Sequence, residues 1–183
     1  SFLSEVQARY AGTRLGQQEL EGVLLANIQG ALWTSDMIQA ALQKTVPPLD
    51  RIVVAVDPAV SAGKSSDACG IVVVGATLQG PPQDWRSYVL ADCTVQGVGP
   101  LAWARAAIAA MQDHCADRLV AEVNQGGALV ESVLRHVDPL VPFKSLHARR
   151  SKSARAEPVA ALYEQGRVFH LPGLGDLEQQ MSQ

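Results

Sequence analysis

The rhythm of apolar and polar positions changes near residue 51. Before it, residues 1–50 show no clear strand pattern. A helical start over 2–10 leads into Gly12 and Gly16, and Thr34, Ser35 and Asp36 read as the cap of a short helix running to about Gln43. Pro47 and Pro48 stop that helix. From Arg51 onward short apolar runs take over. Residues 52–57 form an unbroken apolar run closed by Asp57, and 68–76 and 87–94 read as two more strands, with Pro81-Pro82 marking a surface turn between them. Residues 99–115 are Ala-rich, with apolar helical spacing at Leu101, Trp103, Ala107, Ile108 and Met111. A fourth strand over 118–122 ends in Glu122, and a helix over 128–136 follows Gly126-Gly127. A fifth strand is predicted over 141–145, a helix over 151–165, and a short extended piece over 167–170.

Three strands with short links predict an antiparallel meander, and later strands alternating with helices predict parallel additions. The expected class is therefore α/β, with a mixed central sheet flanked by helices. That order suits the ribonuclease H-like fold, in which the first and fourth strands lie side by side. Asp57 and Glu122, distant in sequence, would then share one end of one sheet.

This placement turns two ordinary residues into candidate chemistry. Strand interiors disfavour carboxylates, and burying one unpaired is costly. Two anions held together need a cation, and a divalent metal with hard oxygen ligands is the natural choice. Asp57 before Pro58 is also a common turn start, and Glu122 could sit at a mere strand edge; it is their pairing that favours metal-dependent phosphodiester chemistry. Asp67, at the start of the second strand, is a supporting candidate ligand. Asn124 and Gln125 precede two glycines, where backbone can approach a ligand and amides can bond phosphate or sugar oxygens.

The remaining composition narrows the picture. With 183 residues, 48% hydrophobic and 18% charged, the chain can bury a core and is not disordered. No run is long enough to cross a bilayer, and with charges spread through residues 1–25 no secretory signal is expected within them. Cys69, Cys93 and Cys115 form no CxxC pair, so neither a zinc site nor a disulfide framework is expected. A net charge of −3 excludes a globally basic coat, but Lys144, His147, Arg149, Arg150, Lys152 and Arg155 fall together. The stretch Arg149-Arg150-Ser151-Lys152-Ser153-Ala154-Arg155 opens a helix, a good setting for phosphate. Ala62-Gly63-Lys64-Ser65 lacks the leading glycine of a P-loop and runs into a strand, so no ATP site is expected; Lys64 is instead a candidate DNA-phosphate contact. His147 and His170 read as structural or exposed.

VAVDPAVSAGKSSDACGIVVVG, VAEVNQGGALVESVLR and KSARAEPVAALYEQGRVFH together resemble the nuclease domain of large terminase subunits, the DNA-packaging motors of tailed phages and phage-like gene transfer agents. The lead-in YAGTRLGQQELEGVLL resembles the segment that joins the ATPase domain to this nuclease. The resemblance implies a lead-in over 1–50 and a ribonuclease H-like nuclease over 51–183. It implies an endonuclease cutting concatemeric double-stranded DNA with Mg2+ or Mn2+, Asp57 bridging two ions and Glu122 holding one. It also implies a linked ATPase domain, portal and small terminase subunit as partners, no membrane, and a bacterial cytoplasmic location with transient procapsid association. The family's third carboxylate, in a motif resembling SPDxxDA, is not found before Gln183, so the chain is expected to be an excised piece cut short at its C-terminus. Other readings are a different ribonuclease H-like enzyme, of junction resolvase or transposase type, and a non-catalytic module docking DNA or portal.

Overall fold

The computed structural model describes residues 32–58, 68–123, 127–147 and 151–182. The helix expected over 2–10 lies outside them. Among the described residues the strands are β1 (Arg51–Asp57), β2 (Gly70–Thr77), β3 (Arg86–Asp92), β4 (Arg118–Glu122), β5 (Phe143–Leu146) and β6 (Val168–His170). The α-helices are α1 (Ser35–Ala41), α2 (Pro100–Asp113), α3 (Gly127–Val137), α4 (Lys152–Glu164) and α5 (Gly175–Met181). The strands join in the order β5-β4-β1-β2-β3-β6. β1 is antiparallel to β2 and parallel to β4, and β4 is parallel to β5. The mixed sheet is the one the element order predicts, and the first and fourth strands are neighbours.

The chain forms two compact units. One comprises Pro47–Thr77 and Val89–Arg149; the other contains Leu78–Tyr88 and the described parts of Ser1–Val46 and Arg150–Gln183. In the first unit, alternation along the strands puts Val54, Val56, Ile71, Val73, Leu119 and Ala121 into one core. Trp103, Ala104, Ala107, Ile108 and Ala110 of α2 and Leu134 of α3 complete it. α2 starts with Pro100 at its first turn, where the missing N–H costs nothing. It ends on Cys115 at a φ of 49°, with the amide of Ala116 bonded to the carbonyl of Met111 at 2.8 Å. That is the left-handed helix stop usually given to glycine.

The second unit is organised around one buried histidine. His170 on β6 is fully buried. Its Nε2 lies 2.6 Å from the Tyr163 hydroxyl of α4, and its Nδ1 lies 2.9 Å from Oε1 of Glu178 on α5. A carboxylate only accepts, so Nδ1 donates to Glu178 and Nε2 accepts from Tyr163 in the neutral ring. Trp33 meets Tyr163 edge to face, and Tyr88 stacks on Phe169. Arg167 ties the loop before β3 in place, donating to the carbonyls of Pro82 at 2.6 Å and Trp85 at 3.1 Å.

Candidate active site

The first unit brings the two candidate carboxylates together. β1 and β4 run parallel, with Val54 opposite Leu119 and Val56 opposite Ala121. Val56 and Ala121 are both buried in the helix-covered core. One residue further on, Asp57 and Glu122 close their strands, so alternation turns both to the opposite face at the same row. Neighbouring strands lie about 4.8 Å apart, so the side chains leave from adjacent positions. The row is at the carboxyl ends of two parallel strands, the edge where open α/β sheets usually bind ligands. Asp57 is exposed and Glu122 half-buried.

The row continues on both sides. In β2, Gly70 stands opposite Asp57, and a Cβ there would lie 3.8 Å from the Asp57 Cβ. Glycine keeps this flank low without any clash forcing it. In β5, Leu146 is level with Glu122, and Lys144 is level with Val120 one row below. Lys144 therefore shares the carboxylates' face. By sequence alone it groups with a charge run. The pairing register separates it from that run, and no single-strand pattern carries that information.

Asp67, Lys64, Asn124, Gln125, Arg149 and Arg150 lie outside the described residues. Lys152 and Arg155 occupy the first turn of α4 in the second unit, where Ser151 caps the helix by accepting from the Ala154 amide at 3.3 Å. That turn holds no acidic residue. Cations at a helix N-terminus oppose the helix dipole, an arrangement an incoming anion relieves. His170, by contrast, is consumed by internal hydrogen bonds, and His147 is exposed, as expected for both.

Among the described residues, no group of three or more His, Cys, Asp and Glu side chains gathers to hold a metal. The donors that do converge are two carboxylates. Two hard oxygen donors of this kind suit a divalent cation that keeps several waters of its own.

Residues 54–182 match the family described as Terminase RNaseH-like domain. The chain belongs to that family. Its fold is shared with the large terminase of a thermophilic bacteriophage solved in complex with ATP-gamma-S (TM-score 0.67, 15% identity), which matches over 98% of this chain and 43% of that one. The large terminase nuclease of thermophilic phage G20c gives 0.51 at 11% identity, over 78% of this chain and 75% of that one. The HK97 bacteriophage large terminase gives 0.50 at 10%, over 76% and 34%. The chain thus spans about two fifths of the first of these proteins. At these identities the likeness concerns the fold. No curated protein matches the chain. Among the described residues, no helix is long and apolar enough to cross a membrane.

Proposed function

We propose that this terminase-family domain is a metal-dependent endonuclease that cuts concatemeric double-stranded DNA during packaging into phage-like capsids. The observation that carries the reading is the level placement of Asp57 and Glu122 on adjacent parallel strands, on the face away from the core. Asp57, at the centre of the row, would bridge two divalent ions, Mg2+ or Mn2+, and Glu122 would hold one; Asp67 is a further candidate ligand. When bound, the ions supply Lewis acidity and charge neutralisation at the phosphate. The chain's own part is to fix two oxygen donors at one sheet edge and keep the flank beside Asp57 low with Gly70. Lys152 and Arg155, with Lys64, Asn124, Gln125, Arg149 and Arg150, are proposed to grip phosphate and sugar oxygens. Such contacts position DNA without reading its sequence. The proposed setting is the bacterial cytoplasm, with an ATPase domain in the same protein and the portal and small terminase subunit as partners.

The test is plasmid cleavage with Mn2+. Asp57→Ala and Glu122→Ala should each lower the rate by about 10²–10³-fold or more, the loss expected when one group stabilising the transition state is removed, with the circular dichroism spectrum unchanged. Cleavage at the parental rate by either variant would remove that residue from the site.

A further inference from the structure

Beyond the carboxylate row, the same face of the sheet carries a short basic track. In β4, Arg118, Val120 and Glu122 alternate onto this face, and in β5, Lys144 and Leu146 do the same. One row below the carboxylates lie Ala55, Val120 and Lys144; one row further down lie Val53 and Arg118. Ala55, Lys144 and Arg118 are exposed and Val53 and Val120 half-buried, so both cations reach solvent on this face. The opposite face is closed by α2 and α3. At the lower end, Arg51 pairs with Asp117 at 3.8 Å, and Asp117 also accepts from the Ile52 amide at 2.7 Å, which ties that acid to the sheet's foot.

Strand spacing of about 4.8 Å and a two-residue rise of about 6.8 Å put diagonal neighbours about 8 Å apart. Lys144 is the diagonal neighbour of Glu122, and Arg118 that of Lys144. Both cations lie in the same compact unit as the carboxylates. A lysine stem can span such a gap toward a phosphate held at the carboxylate row, and an arginine can take the next phosphate along.

We propose that the open sheet face is the path of the DNA backbone, with Lys144 positioning the phosphate beside the scissile one and Arg118 holding the next. This rests on the nuclease reading above and adds the direction from which the strand arrives: across β5 and β4 toward Asp57. The ligand is a nucleic-acid phosphate backbone, bound without base recognition.

The experiment measures binding of the 183-residue chain to a fluorescent duplex of about 20 base pairs, in EDTA, as a function of salt. Each contact removed should flatten the slope of log affinity against log salt by about 0.9. Lys144→Gln and Arg118→Gln should each show that loss, with affinity at about 0.1 M salt down on the order of fivefold, and Lys144→Arg should restore the slope. Arg105→Gln removes the same charge from an exposed position on α2, which packs on the other face, and should leave the slope at the parental value. In Mn2+-dependent cleavage, Lys144→Gln should raise KM more than it lowers kcat. If Lys144→Gln and Arg118→Gln keep the parental slope, the proposal is overturned, and Lys144 is left as a guard of the open β5 edge. Binding in EDTA does not depend on the metal ligands, so failure here is distinct from an Asp57→Ala variant that still cuts.

Discussion

At the residue scale, two helix ends show how the same stop is built with and without glycine. α4 ends with Gly166 at a φ of 63°, the Arg167 amide bonding the Leu162 carbonyl at 2.9 Å. α2 ends on the same arrangement with Cys115 at 49°. A side chain in the left-handed region costs about 1 kcal/mol or more relative to glycine. Gly166→Ala should therefore lower unfolding stability by about 1 kcal/mol, while Cys115→Gly should raise it by a similar amount, both read from urea midpoints at unchanged m-value. Cys115 is exposed, so its replacement removes no core contact; a loss of stability on Cys115→Gly would show that the thiol makes an unrecognised contribution. The sequence marks the first stop openly through Gln165-Gly166. The second carries no glycine, and only the backbone angle reveals it.

At the element scale, legibility follows the source of each element's stability. β1, β2 and β4 are readable because burial and pairing coincide in their apolar runs. The fifth strand is expected over 141–145, but pairing spans Phe143–Leu146. Val141 is buried in the core without joining the ladder, and Pro142 offers only its carbonyl, which accepts from Leu119 at 2.9 Å. Hydrophobicity there reports burial, not pairing. The helix expected to reach Gln43 stops at Ala41, because Leu42 bridges to His170 instead. α5 is too short for a clear helical signal: GDLEQQM offers Leu177 and Met181 on one side, both half-buried, and Glu178 anchors it on His170. This anchoring makes two predictions. His170→Ala should cost about 2–4 kcal/mol, a cavity plus an unpaired Tyr163 hydroxyl, measured by denaturant unfolding. Burial first, and the Glu178 charge second, push the Tyr163 hydroxyl well above its ordinary range. A tyrosine whose folded pKa is raised contributes stability that is complete below the unfolded value, near 10, and is lost as pH rises beyond it. Stability should therefore fall above about pH 10 by up to about 1.4 kcal/mol per pH unit, and Tyr163→Phe should flatten that fall even though it lowers stability at neutral pH.

At the scale of the whole molecule, the sequence supports the expectation that residues 57 and 122 meet, and the parallel register of β1 and β4 brings them level. Which basic residues share their face is not readable, because a charge run says nothing about strand register; Lys144 is placed there only by its pairing with Val120. If Asp57 and Glu122 hold one shared cation cluster, metal binding must be linked to folding, since the unfolded chain cannot hold the two carboxylates together. A ligand bound only by the folded form at about ten times its Kd adds about 1.4 kcal/mol, which for a chain of this size raises Tm by about 3–5 °C. Titrating Mn2+ into the parental chain should therefore raise Tm, and Asp57→Ala and Glu122→Ala should each abolish the rise rather than halve it, because a single remaining carboxylate binds such an ion too weakly to register. Each variant is compared with its own metal-free melting point, so any change the substitution makes to the apo fold drops out of the comparison. Additive half-losses in the two variants would instead mean that the carboxylates bind separate ions, and the bridging role assigned to Asp57 would fall with that result.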